Sequence, residues 1–374
     1  MRSVDVVIVG AGPAGIGMAL ELNKIEGLEY EILESNRIGE SFRRWPSQTR
    51  FISPSFYSNP FGLADLNSVD ATSSPAALTG KEHLSGDEYA DYLTFTADEA
   101  MLPIICDCKV LKVNSDPDGG FHLVTERGEL FTRYLIWACG EFQFPELKPF
   151  IGGEHCLHYA HIKDWQALKA PSYTVIGGYE SALDSTINLL TLGCHVNLLV
   201  RGSTLNNSDA FDPSQILSPY TRQRLNEVKT NESLNISFDV NVVEVASTEQ
   251  GQFRINAKDG RHWNTENRPI LGTGFIKGGG AQQIKDLWMW GDDGHVVLSE
   301  IDESIYTPGL FLVGPQVRHD QQIYCFIYKF RQRFARISQQ IALRLQLDFY
   351  PLEESEDGDW GPFGNNECCT DCEC

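Results

Sequence analysis

The hydrophobic pattern divides the chain into two similar halves. Residues 4–9 and 173–176 are short runs rich in β-branched residues, which is typical of buried parallel strands. Glycine-rich residues and then apolar positions at helical spacing follow each run, so a strand–turn–helix–strand unit is predicted twice. The helices are predicted at about 14–24 and 181–192, and the second strands at 30–33 and 195–200.

Short alternating strands follow each unit and complete the two halves. Gly140 closes the first set and Gly274 closes the second. These segments predict an α/β fold with two Rossmann-like dinucleotide-binding domains, the second inserted in the first. The additional strands are predicted at 109–114, 121–125 and 130–137, and at 241–246, 252–257 and near Ile270.

The chain is predicted to return to the first domain after the second half. A buried strand at 310–313 leads to Gly314, and an apolar stripe predicts a long helix at about 320–347. The N-terminus of this helix, near Gln322, is expected to face the cofactor of the first domain. The predicted parts are the first domain (1–147), the second domain (148–302), the return segment (303–350) and a flexible, acidic, cysteine-rich tail (351–374).

The glycine turn of the first unit has the chemistry of an FAD-binding site. Gly10, Gly12 and Gly15 form a G-x-G-x-x-G sequence at the start of the predicted helix. The first glycine permits the tight turn, the second lets the backbone approach a pyrophosphate, and the third lets the helix pack on the strand. Glu34 ends the next strand, where it can accept hydrogen bonds from ribose hydroxyls. Pro13, Ala14 and Ser35 complete the predicted FAD-binding set of this unit.

The second unit predicts a site for NADPH. Gly177 and Gly178 begin its turn, Ser181 lies at the start of its helix, and Arg201 ends its second strand. The first glycine and the terminal charged residue have the same spacing in both units, so opposite charges are expected at equivalent positions. An arginine suits a 2′-phosphate, whereas a carboxylate suits a free ribose. Tyr179 replaces the middle glycine, and a solvated charge at the strand end is the alternative interpretation of Arg201.

The charge balance limits the partners. Lys and Arg number 30 and Asp and Glu number 51, so the net charge is −21, which disfavours nucleic acid and anionic membranes. No apolar run reaches the ~18–20 residues that a bilayer span requires. The first glycine turn comes too early for a signal peptide, so the protein is expected in the cytoplasm.

The inserted arrangement of the two units resembles the flavoproteins with two dinucleotide-binding domains, which include thioredoxin reductases and flavin monooxygenases. The closest resemblance is to the bacillithiol disulfide reductases. It implies FAD in the first unit, NADPH in the second, and contacts of Ser41, Phe42 and Trp45 with the isoalloxazine ring. Gly140 and Gly314 are further expected cofactor contacts. The supporting stretches are GAGPAG at 10–15, GESFRRWPSQTRFISPS at 39–55, HYAHIKDW at 158–165, VIGGYESALD at 175–184 and LLVRGS at 198–203.

Three positions depart from these relatives. Ala14 stands where bacillithiol disulfide reductases have a cysteine, and Cys156 lacks the partner of the thioredoxin reductase C-x-x-C. Pro315 stands where the superfamily often has an aspartate that contacts the ribitol. The flavin is therefore expected to lack an adjacent thiol. Residues 150–159 also resemble the F-x-G-x-x-x-H-S-x-x-Y motif of flavin monooxygenases with one residue fewer, and an ordinary interdomain crossover is favoured there.

Four cysteines lie within the last seven residues, in an acidic segment that is predicted to be flexible. One interpretation is a redox arm that carries electrons from flavin to an external disulfide, similar to the C-terminal cysteine pairs of certain mercuric and thioredoxin reductases. The second is a site for a soft metal ion such as Cu(I) or Hg(II), and the third is a tail without function. The redox arm is preferred because exposed thiols are reactive. Its predicted catalytic residues are Cys368, Cys369, Cys372 and Cys374.

The sequence therefore predicts an FAD-dependent NADPH oxidoreductase that acts on a small-molecule or peptide disulfide. A homodimer is expected. The alternatives are an FAD monooxygenase, in which reduced flavin reacts with oxygen, and a flavoprotein whose tail binds a soft metal.

Overall fold

The computed structural model describes residues 2–56, 64–205, 210–230 and 232–348. The predicted tail at 351–374 lies outside these residues. The strands are β1 (Arg2–Val9), β2 (Tyr30–Leu33), β3 (Ile104–Ile105), β4 (Val110–Ser115), β5 (Phe121–Thr125), β6 (Gly128–Trp137), β7 (Leu157–His158), β8 (Ser172–Ile176), β9 (His195–Leu199), β10 (Leu234–Ser237), β11 (Val242–Ser247), β12 (Phe253–Ala257), β13 (His262–Thr265), β14 (Ile270–Leu271), β15 (Met289–Trp290), β16 (Val296–Val297), β17 (Leu310–Leu312), β18 (Arg318–His319) and β19 (Gln322–Ile323).

Eight α-helices accompany the strands in the described residues. The helix α4 begins with a capping box, in which Ser85 and Glu88 bind each other's backbone N–H groups. None of the helices in the described part of the chain has the length and apolar composition of a membrane span. The helices are α1 (Pro13–Leu22), α2 (Glu40–Arg43), α3 (Pro75–Thr79), α4 (Gly86–Glu99), α5 (Glu180–Thr191), α6 (Pro219–Val228), α7 (Ile327–Phe330) and α8 (Phe334–Leu345).

The first sheet has the strand order β3-β2-β1-β6-β5-β4. Its centre is parallel, because β1 lies between β2 and β6 and runs in the same direction as both. The strand β6 pairs antiparallel with β5 in its first half and parallel with β17 in its last residues. The return strand β17 therefore adds to the first sheet, as the sequence predicts.

The second sheet is fully parallel, with the order β10-β9-β8-β14-β7. A separate antiparallel sheet contains β11, β12 and β13. The sequence predicts its first two strands correctly but expects the third near Ile270. That residue lies instead in β14, fully buried between β7 and β8, and the third antiparallel strand is His262–Thr265. Both halves thus form mixed α/β units with a parallel sheet.

The hydrophobic cores follow the two sheets. The first core combines β1, β2, β6 and β17 with α1, α4 and α8, and the second lies around β8, β9 and α5. In the first core, α1 and α8 approach closely, since a Cβ at Gly17 would lie 2.5 Å from the Phe334 ring. Ala281, Ile284 and Trp288 also belong to this first core. The predicted second domain ends at residue 302 and so includes these three residues, although they pack in the first core.

The prediction of one long helix over 320–347 is wrong. Residues 318–323 form a short hairpin of β18 and β19, in which Asp320 has a positive φ of 51°. Helical structure begins with α7 at Ile327 and continues through a 3₁₀ turn into α8, where Ile337 and Ile341 are fully buried. The hairpin is fixed by Asp302, which lies 2.5 Å from His319 Nε2. The helix N-terminus at Phe326 and Ile327, rather than Gln322, therefore faces the cleft described below.

Candidate functional site

A cleft of about 1100 Å³ runs across the edge of the first sheet and reaches the second unit. Val9, Leu33 and Trp137, the last residues of β1, β2 and β6, lie on its wall. The carboxyl ends of parallel strands are where an α/β sheet binds ligands. The other walls come from the first glycine turn, positions between 40 and 53, residues 137–144, the start of α5 and positions between 323 and 330.

The three glycines of the first turn have different surroundings. A Cβ at Gly10, where φ is +108°, would lie 2.6 Å from the Ala138 oxygen, and a Cβ at Gly15 would lie 1.9 Å from the Gly10 oxygen. Packing of the turn requires both glycines. A Cβ at Gly12 would meet no atom within 4 Å, so this position faces open space at the N-terminus of α1. A backbone exposed in this way at a helix N-terminus fits the pyrophosphate of FAD.

Glu34 ties the end of β2 to the glycine turn. Its Oε2 accepts a hydrogen bond from the Ala11 N–H at 2.8 Å, and its Oε1 accepts from the Asn36 N–H at 2.9 Å and the Ser35 hydroxyl at 3.1 Å. The side chain is 8% exposed and lies on the cleft wall. A carboxylate has further lone pairs, so Glu34 can also accept from a ribose hydroxyl. The residues present therefore fit an adenosine ribose at this place.

Aromatic side chains form one wall of the cleft. The Phe42 ring lies 5.0 Å from the Trp45 ring and 5.5 Å from the Phe51 ring, measured between centroids. The Trp45 ring is in turn 6.4 Å from that of Phe142. This wall is held close to α4, since a Cβ at Gly86 would lie 2.1 Å from the Phe42 oxygen. It offers a flat, apolar surface of the kind that a flavin ring requires.

The glycines of the second turn are required by packing. A Cβ at Gly177, where φ is +139°, would lie 2.3 Å from the Gly272 oxygen, and a Cβ at Gly178 would lie 2.6 Å from a Val200 methyl group. Neither glycine lines the cleft, whereas Ser181 does. Ser181 lies in the first turn of α5, where backbone N–H groups suit a phosphate.

Tyr179 and Glu180 fix a neighbouring segment to this turn. The Tyr179 hydroxyl lies 2.6 Å from the Ser214 oxygen and 2.7 Å from the Ile216 oxygen. The Glu180 carboxylate accepts a hydrogen bond from the Ser218 N–H at 2.6 Å. Burial raises the pKa of Glu180, although hydrogen bonds from Ser218 act in the opposite direction. The second turn is therefore attached to the segment around residues 214–218, and it meets the cleft through Tyr179, Glu180 and Ser181.

A buried polar cluster connects the loop after α2 to α5 and α6 beside the cleft. The Asp184 carboxylate of α5 accepts hydrogen bonds from the Thr49 hydroxyl at 2.7 Å and from the Tyr159 hydroxyl at 3.1 Å. Arg224 of α6 donates to the same carboxylate at 2.8 Å. Thr49 comes from the loop after α2, and its partners lie more than 100 residues later in the chain. The cluster therefore holds α5 against the wall of the cleft.

A buried ion pair makes a second connection, between the segment around residue 212 and α7. Lys329 Nζ lies 2.9 Å and 3.0 Å from the two carboxylate oxygens of Asp212, and both residues are 3% exposed. Asp212 also accepts a hydrogen bond from the Ile323 N–H at 2.8 Å. Burial acts to raise the pKa of Asp212, but hydrogen bonds from Lys329 and Ser214 outweigh it and lower that pKa.

Three cysteines border the cleft, namely Cys108, Cys139 and Cys325. These thiols lie on the cleft wall, and the expectation that the flavin itself lacks an adjacent thiol stays a prediction. Burial raises the pKa of Cys325 to about 11 and raises that of Cys139 further, so both are neutral thiols at physiological pH. Cys156 is buried elsewhere, with its pKa raised to about 12 by burial. All six cysteines of the described residues are free.

The structure brings most of the predicted cofactor residues together on the cleft wall. Six predicted residues lie outside it, and the tail cysteines Cys368, Cys369, Cys372 and Cys374 fall outside the described residues. Those on the wall are Gly10, Gly12, Pro13, Ala14, Glu34, Ser35, Ser41, Phe42, Trp45, Gly140 and Ser181. Those outside it are Gly15, Gly177, Gly178, Arg201, Gly314 and Gln322.

Sequence analysis missed several polar residues of the cleft. Glu141 directly follows the closing glycine of β6, and that position is a signal that could have identified it. Asp184 and Arg224 lie within helices, where nothing in the local pattern marks them. Thr49 lies on a loop and its partners Tyr159 and Asp184 are distant in sequence, whereas Arg318 lies in the unexpected hairpin of β18 and β19.

A family model described as pyridine nucleotide-disulphide oxidoreductase matches residues 7–314. The chain belongs to this family. Its members use FAD and a nicotinamide nucleotide, which confirms the two predicted cofactors and the predicted class of oxidoreductase.

Characterised and uncharacterised relatives are distant. The chain is 26% identical over 190 residues to an uncharacterized CzcO-like oxidoreductase of Geobacillus kaustophilus, covering 50% of this chain and 51% of the relative. It is 21% identical over 243 residues to the bacilliredoxin reductase Bdr of Bacillus subtilis, covering 65% of this chain and 68% of the relative. The match to the CzcO-type relatives spans about half of their length.

Solved structures show the same fold over nearly the whole chain. Bacillithiol disulfide reductase Bdr (YpdA) of Staphylococcus aureus has a TM-score of 0.74 at 19% identity, covering 92% of this chain and 99% of that protein. A flavin-containing monooxygenase of Stenotrophomonas maltophilia has a TM-score of 0.72 at 18% identity, covering 92% and 100%. Both resemblances stated from the sequence are thus found among the structural neighbours, and at these identities they establish the fold alone.

Proposed function

We propose that this protein is an NADPH-dependent FAD oxidoreductase that reduces a small-molecule or peptide disulfide, with the cysteines at 368–374 as its redox arm. One observation carries the proposal. A single cleft is bordered by Gly12 and Glu34 of the first unit and by Ser181 of the second, so two nucleotides bound at these places would meet in it. A hydride donor and a flavin need such a shared, enclosed site.

The residues of the cleft divide the task of binding. Gly12 and the N-terminus of α1 would hold the FAD pyrophosphate, and Glu34 would hold the adenosine ribose. Phe42 and Trp45 would cover the flavin ring and exclude water from it. Ser181 would bind the NADPH phosphates at the start of α5. Bound FAD supplies the two-electron transfer between the nucleotide and a disulfide.

The cysteines of the described residues support an external or tail-borne acceptor. In the overall reaction NADPH and one proton reduce the disulfide, so that the S–S bond breaks, two thiols form and NADP⁺ leaves. Cys139 and Cys325 are half-buried free thiols with raised pKa values, and the thiolate is the form that attacks disulfides. The neighbouring pair Cys368 and Cys369 can instead form and exchange a disulfide.

Truncation after Gly364 tests the redox arm, because it removes all four terminal cysteines. The truncated enzyme should bind FAD and reduce it with NADPH at the wild-type rate, and it should lose disulfide turnover by a factor of about 100 or more, as expected for loss of a nucleophile. Cys368→Ser with Cys369→Ser should act likewise. Cys106→Ser, at a described cysteine outside the cleft wall, is the matched control and should change neither rate.

Unchanged disulfide turnover in the truncated enzyme would exclude the arm. Product analysis of the same reactions separates the alternatives. Hydrogen peroxide or a hydroxylated product instead of thiols would assign the protein to the monooxygenases, and copper or mercury lost on truncation without loss of turnover would assign the tail to metal binding.

A further inference from the structure

Arg50 is a half-buried residue of the cleft wall that uses only part of its guanidinium group. Its Nη1 donates hydrogen bonds to the carbonyl oxygens of Ser47 at 2.7 Å and Thr49 at 2.8 Å. A guanidinium has five N–H donors, so Nε and Nη2 keep three. These three have no hydrogen-bond partner in the part of the chain that the structure describes. The edge that Nε and Nη2 form can bind a carboxylate through two parallel hydrogen bonds.

The other arginines on the described part of the cleft wall each have a carboxyl neighbour. These pairs are Arg44 with Glu40 at 3.2 Å, Arg224 with Asp184 at 2.8 Å, and Arg318 with Glu141, whose pKa the positive charge of Arg318 acts to lower. Arg50 forms no ion pair with a carboxylate of the described residues. A cation without a carboxylate is unexpected in a chain whose net charge is −21. The positive charge of Arg50 is therefore available to a ligand of the cleft.

The neighbours of Arg50 place it between α5 and the aromatic wall of the cleft. The Thr49 hydroxyl donates a hydrogen bond at 2.7 Å to a carboxylate of α5. The Phe51 ring lies 5.0 Å from the Trp45 ring, measured between centroids. The backbone is fixed here, because the Phe51 N–H donates to the Leu84 oxygen at 2.9 Å. Arg50 is thus held beside both the surface proposed for the flavin and the helix proposed for NADPH.

We propose that Arg50 binds a carboxylate of the electron acceptor, so that this enzyme prefers an anionic disulfide. The inference rests on the proposed function, which supplies a disulfide as the acceptor. The phosphates of the two nucleotides have proposed positions at the N-termini of α1 and α5. The acceptor is the remaining ligand of the cleft, and its carboxylate would fill the free edge of the guanidinium. Because this contact lies away from the S–S bond, it should act on KM rather than on kcat.

The test uses disulfides of similar size that differ in charge. They are the dianion 3,3′-dithiodipropionate, the neutral bis(2-hydroxyethyl) disulfide and the dication cystamine, and NADPH oxidation by the full-length holoenzyme gives kcat/KM for each. The wild type should prefer the dianion to the neutral disulfide by about tenfold or more, as for a charge-assisted hydrogen bond. Arg50→Ala should lose this preference through KM. Arg50→Lys, which keeps the charge without the planar fork, should restore part of it.

Arg44→Ala is the matched control, because it removes an arginine of the same wall that already has a carboxylate partner. That partner, Glu40, keeps its contact with Arg37 at 3.2 Å. The preference of this variant for the dianion should equal that of the wild type. Anaerobic reduction of the flavin by NADPH, measured for every variant, separates binding of the acceptor from binding of the nucleotide.

A wild type without preference for the dianion, or an Arg50→Ala enzyme that keeps the preference, overturns the proposal. Equal losses for all three disulfides would show a structural role, and slower flavin reduction by NADPH with an unchanged preference would assign Arg50 to the nucleotide. Either result also overturns the proposal.

Failure of the proposed function is recognised separately, because the wild type would then turn over none of the disulfides. In that case the anionic acceptor ferricyanide and the cationic acceptor hexaammineruthenium(III) test Arg50, since neither contains a disulfide. Arg50→Ala should lower kcat/KM for ferricyanide severalfold relative to that for hexaammineruthenium(III), because an attractive charge is lost. An unchanged ratio overturns the assignment of Arg50 to an anionic acceptor.

Discussion

At the scale of single residues, the glycines of one motif perform two different tasks. Gly10 and Gly15 are needed so that the turn can close, since any side chain there would overlap a backbone oxygen. Gly12 has no such constraint, and its φ of −85° is one that other residues adopt readily. The sequence motif identifies all three positions, but only the structure separates the glycines needed for folding from the glycine left open for a ligand.

This separation predicts different outcomes for two substitutions. Gly12→Glu should give a folded but colourless protein, because a carboxylate would occupy the pyrophosphate path without disturbing the turn. Gly15→Ala should instead destabilise the fold by several kcal/mol, as expected for overpacking. The flavin absorbance of the purified proteins and their thermal unfolding distinguish the two cases. A yellow Gly12→Glu protein with wild-type FAD content would contradict this assignment of the pyrophosphate site.

At the scale of elements, the local hydrophobic pattern predicts secondary structure well wherever one face of a strand or helix packs against a core. The units around β1, α1 and β2 and around β8, α5 and β9 are of this kind, and both are confirmed within one or two residues at most ends. Prediction fails where partners distant in sequence decide the structure. The apolar stripe after residue 320 was helical in period, but Asp302 binds His319 at 2.5 Å and Arg333 at 2.8 Å and so holds the preceding hairpin. No local pattern contains that information.

The ion pair between Lys329 and Asp212 is a buried contact between elements that are distant in sequence. Lys329→Ala should destabilise the protein by about 3–5 kcal/mol, because it leaves a buried carboxylate without its cation. The double variant Lys329→Met with Asp212→Asn should recover much of this loss. Urea unfolding of the full-length chain measures both, and Arg37→Ala, which removes an exposed ion pair with Glu40, should cost less than about 1 kcal/mol. If the single and double variants lose the same free energy of unfolding, packing rather than charge accounts for the effect of this contact.

At the scale of the whole molecule, the net charge of −21 opposes the approach of any anionic nucleotide. Binding must therefore come from local groups, such as the N-termini of α1 and α5 and individual arginines. The repeated unit makes these groups predictable, since equivalent positions carry Glu34 in one half and Arg201 in the other. The electron acceptor is not predictable in the same way, because the cleft combines residues from Val9 to Phe330 and no local sequence pattern records which acceptor fits it.

Arg201 provides the test of that correspondence between the halves. It is exposed just after the end of β9 and does not line the cleft, so its contact with the 2′-phosphate of NADPH stays a prediction. Arg201→Ala should weaken NADPH roughly tenfold or more and leave NADH within about twofold, because only NADPH loses a charge-assisted hydrogen bond. Anaerobic stopped-flow reduction of the flavin by each nucleotide measures the preference, with the exposed Arg222→Ala of α6 as the matched control. If Arg201→Ala keeps the wild-type preference, Arg201 is a solvated charge at a strand end and the phosphate is bound by another group.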